Sequence, residues 1–202
     1  MTVPFKGILA VLSILTVAAS GPTVAADGTT FGDKPTYQSG AQSEYAPSGD
    51  KKAFTITFGD LEVAIDTGKL PEKAAKRACS PATAVPVATR VFSAVIPVKG
   101  GKTIKTSFFV SGYVVTTEGS QGTLLFSVNG QNTLTKFAAK LDQSFVKRLD
   151  FKAKSGSEIR MTVFLLAERD AQYPNAAAYL NVSSIDTDAA LAKQRVAGKA
   201  GK

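Results

Sequence analysis

Apolar and polar residues alternate over much of this chain, and a period of two residues is typical of β-strands. Between residues 53 and 185, short alternating runs are separated by glycine, proline or asparagine. Asn129-Gly130 is the strongest hairpin-turn signal among these separators. About nine strands at such short spacing predict an all-β fold, an antiparallel β-sandwich of jelly-roll type.

Two segments within this region carry more specific predictions. Residues 54–58 and 61–65 alternate on either side of Gly59-Asp60, which predicts a hairpin-like pair of strands. Residues 70–78 break the alternation. Pro71 at the start and Glu72 in the first turn predict one short helix there.

The ends of the chain differ from this region in composition. Residues 1–26 resemble a secretory signal peptide, with Lys6 before an apolar run at 8–19 and small residues before a cleavage point at Asp27. That run is too short to span a membrane as a helix, and no later stretch approaches that length. Residues 27–52 are polar and predict a flexible linker, or a segment lying on the domain. The sandwich domain follows at 53–185, and a basic C-terminal tail at 186–202.

Composition excludes several classes of chemistry. The 202 residues include no histidine and one cysteine, and the net charge is +8. Without histidine there is no Ser-His-Asp or Cys-His catalysis and no histidine-containing metal site, and we expect no cofactor. Cys79 has no intramolecular disulfide partner, and its surroundings are typical of a small buried residue. The dispersed positive charge favours a solvated surface over a nucleic-acid site.

Carboxylates leave one enzymatic alternative open. A glycan hydrolase needs two of them a short distance apart, and the candidates lie near strand ends: Glu118, Glu158, Glu168 and Asp170. The chain has no tryptophan, however, whereas sugar-stacking clefts tend to be rich in aromatic residues. Calcium could use oxygen ligands from Asp60, Glu62 and Asp66, or from Asp186 and Asp188, but neither group has the spacing of a known calcium loop.

One surface is a candidate binding site. In the strand at 104–117 the even positions form a core face, whereas the odd positions include Phe109 and Tyr113. The strand that begins at Ile159 has Phe164 and Leu166 on its second face. If the two strands are neighbours, these four side chains form an apolar patch that binds a glycan or a protein. The alternative is that the linker or the short helix covers them as a second small core.

These patterns together predict an exported, non-enzymatic binding or assembly protein of the periplasm or extracellular space. Phe109, Tyr113 and Phe164 are the predicted binding residues, and the expected partner is a glycan, another protein or a second copy of the chain. The alternative is the carboxylate-dependent hydrolase. The two hypotheses differ in whether two acids meet in a concave pocket or an apolar patch lies exposed.

Overall fold

The computed structural model describes residues 28–76, 86–154, 156 and 158–187. This part of the chain contains twelve β-strands and very little helix. The strands, in chain order, are β1 (Thr30–Phe31), β2 (Thr36–Ser39), β3 (Ser43–Pro47), β4 (Phe54–Phe58), β5 (Glu62–Ile65), β6 (Val87–Lys99), β7 (Thr103–Thr116), β8 (Ser120–Val128), β9 (Gln131–Phe137), β10 (Leu141–Lys154), β11 (Glu158–Arg169) and β12 (Ala178–Asp186). A 3₁₀ turn (Thr67–Lys69) and the one-turn helix α1 (Glu72–Ala75) follow β5.

The strands form two six-stranded sheets in which every pairing is antiparallel. Sheet I has the order β1-β6-β11-β8-β9, with β2 also paired to β6. Sheet II has the order β10-β7-β12-β4-β3, with β5 also paired to β12. The chain crosses repeatedly between them, because β6, β8, β9 and β11 belong to sheet I whereas β7, β10 and β12 belong to sheet II. The predicted antiparallel sandwich is confirmed.

The core lies between the two sheets, as the even positions of β7 predicted. Phe108 is fully buried at its centre. Its ring centroid lies 6.1 Å from that of Phe54, 6.0 Å from that of Phe126 and 5.9 Å from that of Phe151. Aromatic pairs at these separations add edge-to-face attraction to the burial of apolar area. The inward register predicted for β7 and β8 is therefore confirmed.

The described N-terminal segment lies on the domain, which is the alternative considered to a flexible linker at 27–52. This segment, residues 28–52, contains β1, β2 and β3, which pair with β6 and β4. Three spaced aromatic residues explain why this polar segment is ordered. Phe31 packs on Phe54 at 4.8 Å between ring centroids, Tyr45 packs on the same ring at 5.4 Å, and Tyr37 lies 5.8 Å from Phe92. The sandwich thus begins before residue 53.

The predicted hairpin of residues 54–58 with 61–65 is wrong. Both β4 and β5 pair with β12 and run in the same direction. Together they occupy the position of a single strand beside β12, with an interruption between them. Gly59-Asp60 interrupts the strand without reversing it. The Gly59 amide donates to the Gln42 carbonyl (2.9 Å) and the Gln42 amide donates to the Asp60 carboxylate (2.5 Å), so this interruption is bonded to the N-terminal segment.

The structure describes only part of the predicted short helix and of the predicted C-terminal tail. The short helix begins after Pro71, as predicted, and is described as far as Ala75. Strand β12 continues to Asp186, and the Thr187 amide donates to the Phe54 carbonyl (3.1 Å), so the first two residues of the predicted C-terminal tail belong to sheet II. The signal segment 1–26, Cys79 and residues 188–202 lie outside the described residues. No helix in the described ranges is long and apolar enough to cross a membrane.

Candidate functional site

The predicted apolar patch does not form, because its two strands are not neighbours. Strand β7 pairs with β10 and β12 in sheet II, whereas β11 pairs with β6 and β8 in sheet I. Phe109 and Tyr113 therefore lie on the outer face of one sheet and Phe164 on the outer face of the other. The sandwich core separates them, so these residues cannot form one binding surface.

Tyr113 belongs to a second small core, which is the alternative considered for the patch. It is 7% exposed and packs with Leu70, Val115 and Tyr179 beneath the segment that leads into α1. The two tyrosine rings lie 6.5 Å apart, and the Tyr113 hydroxyl donates to the Asp142 carboxylate. Tyr113 is therefore a covered packing residue.

The other two predicted binding residues differ in exposure. Phe109 is 8% exposed, and the Arg148 guanidinium lies over its ring at 5.8 Å from the centroid. Phe164 and Leu166 are half-buried on the open outer face of sheet I. Of the three predicted binding residues, only Phe164 is open to a partner.

Three loops at one end of the sandwich build a different candidate site, which we call the loop end. They are residues 117–119 between β7 and β8, residues 138–140 between β9 and β10, and residues 170–177 between β11 and β12, together with the strand residues that adjoin them. Two adjoining cavities of about 520 and 390 Å³ lie among them. Gly119 lines the first cavity and Tyr173 the second, and the two residues are in contact.

Hydrogen bonds fix these loops to each other. The Thr117 amide donates to the Ala177 carbonyl (3.0 Å), and the Ala177 amide donates to the Thr117 hydroxyl (2.8 Å). The buried Ser120 hydroxyl donates to the Ala177 carbonyl (2.6 Å). The Asp170 amide donates to the Gly119 carbonyl (2.9 Å). Because backbone groups from both loops take part, the site is held in shape before a ligand arrives.

Tyr173 is the exposed aromatic residue of the loop end. Its side chain is 42% exposed and lies against Gly119, where a side chain would clash: an added Cβ would lie 2.1 Å from Tyr173 Cγ. Gly119 has a φ of +76°, which glycine adopts without strain. The Cβ, Cγ and Cδ2 atoms of Tyr173 thus lie against the Gly119 backbone, and the rest of the side chain is open to solvent. A tyrosine held in this way offers rigid contact area at a small entropic cost.

Polar groups surround this ring. Exposed amide side chains, which can both donate and accept hydrogen bonds, come from Gln121, Gln172 and Asn175. The positive and negative charges at the loop end nearly cancel. Glu118 pairs with Lys140 at 3.1 Å, and Arg169 donates to the Pro174 carbonyl at 2.7 Å. The loop end is therefore polar, close to neutral and centred on one aromatic ring.

The carboxylates of the hydrolase alternative are placed as follows. Glu168 and Asp170 both line the larger cavity, whereas Glu118 lines the smaller one. Glu158 lies at the start of β11, away from this end, and pairs with Arg160. Glu168 accepts a hydrogen bond from the Gln121 amide side chain (2.5 Å), and Asp170 accepts one from the Gln172 backbone amide (2.8 Å). Both carboxylates at the cavity therefore already accept hydrogen bonds from neighbouring residues.

The carboxylates considered for calcium have other contacts in the structure. Asp60 pairs with Arg90, Asp66 with Lys69, and Glu62 accepts from the Tyr179 hydroxyl (3.0 Å). Asp186 accepts from the Thr55 hydroxyl (2.6 Å), while Asp188 lies outside the described residues. Within the described ranges, no three histidine, cysteine, aspartate or glutamate side chains are grouped so as to hold a metal ion.

The sequence analysis did not single out Tyr173-Pro174-Asn175 as candidate binding residues. The available signal was an aromatic residue in a polar loop, beside a proline and between two amide residues. Sequence alone could not show that Gly119, more than fifty positions earlier, would support the ring.

Comparison with known proteins assigns no function to this chain. No protein-family model matches the chain, and no curated protein matches it. One similar solved structure is that of TmCBM61 in complex with β-1,4-galactotriose. The two chains are 8% identical over 75% of this chain and 86% of the other, with a TM-score of 0.28. A TM-score this low transfers neither a ligand nor a site to this chain.

Proposed function

We propose that this protein is a non-catalytic binding protein that recognises a neutral glycan at the loop end. The observation that carries the proposal is the exposed Tyr173 ring, fixed against Gly119 between two polar cavities. A sugar presents an apolar ring face and a rim of hydroxyl groups. The tyrosine ring can stack on the apolar face of the sugar, and the amide and carboxylate side chains around it can form hydrogen bonds with the hydroxyl groups.

The charge at the site favours a neutral ligand over an acidic one. Although the whole chain carries +8, the loop end has the acids Glu118, Glu168 and Asp170 against the bases Lys140 and Arg169. An anionic glycan would meet no excess of positive charge there. The hydrogen bonds already accepted by Glu168 and Asp170 support a positioning role for these carboxylates over a catalytic one.

The proposal is tested by titrating the protein with neutral oligosaccharides, alongside uronate-containing and sulfated ones. Tyr173→Ala should weaken binding about 30-fold, the loss of roughly 2 kcal/mol expected for a central aromatic contact. Tyr173→Phe should bind nearly as wild type, because the ring is retained. Tyr37→Ala is the matched control, since Tyr37 is also 42% exposed but lies on β2 in sheet I.

Two results would overturn the proposal. One is equal affinity of wild type and Tyr173→Ala for every oligosaccharide that binds. The other is release of new reducing ends by the wild type, abolished by both Glu168→Gln and Asp170→Asn, because this would establish the hydrolase alternative.

We further propose that the protein acts after export, in the periplasm or outside the cell, on the basis of the signal-like segment at 1–26. Mass spectrometry of the protein from its native source should then find an N-terminus within two residues of Asp27. An intact Met1 form in the membrane fraction would reject this hypothesis.

A further inference from the structure

An apolar row crosses the outer face of sheet I. In the strand register, Phe164 of β11 lies opposite Val91 of β6 and Leu125 of β8, and Leu125 lies opposite Leu134 of β9. Residues directly opposite in an antiparallel sheet share a face and lie about 5 Å apart. These four residues, which we call the apolar row, are open to solvent: Val91 is 41% exposed, Leu134 is 59% exposed, and the other two are half-buried. Apolar side chains that are contiguous on a surface mark an interaction site.

The residues on either side of the apolar row are arranged almost symmetrically about it. The next row towards the start of β11 contains Ser93, Thr162, Ser127 and Asn132. The next row on the other side contains Thr89, Leu166, Thr123 and Lys136. Small hydroxyl residues are three of the four in the first of these rows and two of the four in the second. An apolar centre with a polar rim is the usual anatomy of a protein interface.

Charges of opposite sign stand at equal distances from the centre. Arg160 precedes Phe164 by four residues and Glu168 follows it by four, on the same outer face of β11. At about 3.3 Å per residue, each charge lies roughly 13 Å from the apolar row. In the single chain Arg160 pairs with Glu158 and Glu168 accepts from Gln121. Exposed contacts of this kind are worth little and can be exchanged for others.

We propose that the outer face of sheet I is the interface of a two-fold homodimer, with a second copy of this chain packed on it face to face. A two-fold axis along the apolar row maps each member of that row onto its own copy. The same axis places Arg160 of each chain over Glu168 of the other, forming two identical ion pairs. Lys136 then faces Asn132 of the second copy. A two-fold interface must be self-complementary, and this face meets that condition.

The size of the face suits a dimer. Three strands contribute about nine residues each and β9 contributes seven, which at about 4.8 Å between strands and 3.3 Å per residue cover roughly 550 Å² on each copy. A specific interface needs about 1,000 Å² over both partners, so two such faces exceed that requirement. Two packed sheets also have a familiar geometry, with apolar side chains of facing sheets in contact.

The first test measures the molar mass of the purified protein by light scattering across a concentration series. A dimer is expected, and Phe164→Asp should raise its dissociation constant at least about 100-fold by placing two carboxylates together on the axis. Arg160→Glu alone and Glu168→Arg alone should each weaken the dimer about 10-fold or more. The double variant should restore it, because every ion pair is re-formed with reversed polarity. Melting temperatures of the monomeric variants show that each remains folded.

The second test uses cross-linking in a Cys79→Ser background. Leu134→Cys lies on the axis, so a bismaleimide linker about 10 Å long should join it to its own copy, because facing sheets pack about 10 Å apart. Asn132→Cys is the matched control, because it is exposed on the same strand and face but would oppose Lys136 of the second copy. A wild type that stays monomeric at all concentrations would overturn the proposal. So would a dimer in which the two charge reversals fail to rescue each other, as expected if the β9 edges pair instead.

Discussion

Gly119 and Tyr173 are in contact at the loop end, although they lie in different loops. A Cβ added to Gly119 would be 2.1 Å from Tyr173 Cγ and 2.3 Å from its Cβ, so no other residue type fits while the ring stays in place. The position of the ring therefore depends on the absence of a side chain in a neighbouring loop. This contact allows the position of the ring to be tested without changing Tyr173 itself.

We predict that Gly119→Ala abolishes glycan binding by displacing Tyr173. Alanine at this positive φ should also cost about 1–2 kcal/mol of stability. Gly130→Ala is the matched control: it has a φ of +82° and no atom within 4 Å of its added Cβ. Thermal melts should show a loss of stability in both variants, larger in Gly119→Ala because the ring must also move, and calorimetric titration should show loss of binding only in Gly119→Ala. Normal binding by Gly119→Ala would mean that the ring position is unimportant.

The outer faces of the two sheets should respond differently to the loss of an aromatic residue. Tyr113 is 7% exposed within the second small core, so Tyr113→Ser should cost about 3–5 kcal/mol of folding stability. Phe164 is half-buried on an open face, so Phe164→Ser should cost no more than about 1 kcal/mol. Denaturant unfolding at low protein concentration, where a dimer would dissociate, measures both values. Equal losses would mean that Phe164 is as fully packed as Tyr113.

Local signals in the sequence predicted the strands well. The alternation in β7 placed Phe108 in the core, and Asn129-Gly130 predicted a hairpin in which both turn residues have positive φ, 46° and 82°. Turn chemistry and the two-residue period act over a few positions, so they can be read directly from a sequence.

Pairing between distant strands could not be read in this way. The alternation of β7 and β11 gives each strand two faces but does not specify which strands lie beside it. It therefore allows Phe109 and Phe164 to share a surface, although the two residues lie on opposite sheets. The apolar row became visible only when the register placed Phe164 beside Val91 and Leu125. For a related reason, the sequence leaves residues 27–52 open between a flexible linker and a segment lying on the domain. The mean composition of these residues is polar, and the contacts of Tyr45 and two other aromatic residues depend on the rest of the fold.

Tyr45 gives the ordered N-terminal segment a measurable dependence on pH. Its hydroxyl donates to the Gly32 carbonyl at 2.8 Å, and its ring packs on Phe54. Burial raises the pKa of the Tyr45 hydroxyl far above its usual value of about 10, and the nearby Asp33 and Tyr37 raise that pKa further. The protonated form is therefore the one that the folded state stabilises, because a phenolate could neither donate to the carbonyl nor be solvated there.

The sign of the effect follows from this raised pKa. Below pH about 10 the hydroxyl is protonated in both folded and unfolded chains, and its contribution to stability is complete. Above that pH the unfolded chain releases the proton first, so stability should fall by up to about 1.4 kcal/mol per pH unit from this group. Tyr45→Phe should lose about 1 kcal/mol at neutral pH with the hydrogen bond, and its stability should fall less steeply in alkali. Urea unfolding of both proteins between pH 7 and 11 measures the two slopes, and equal slopes above pH 10 would show that the Tyr45 hydroxyl is not protected by the fold.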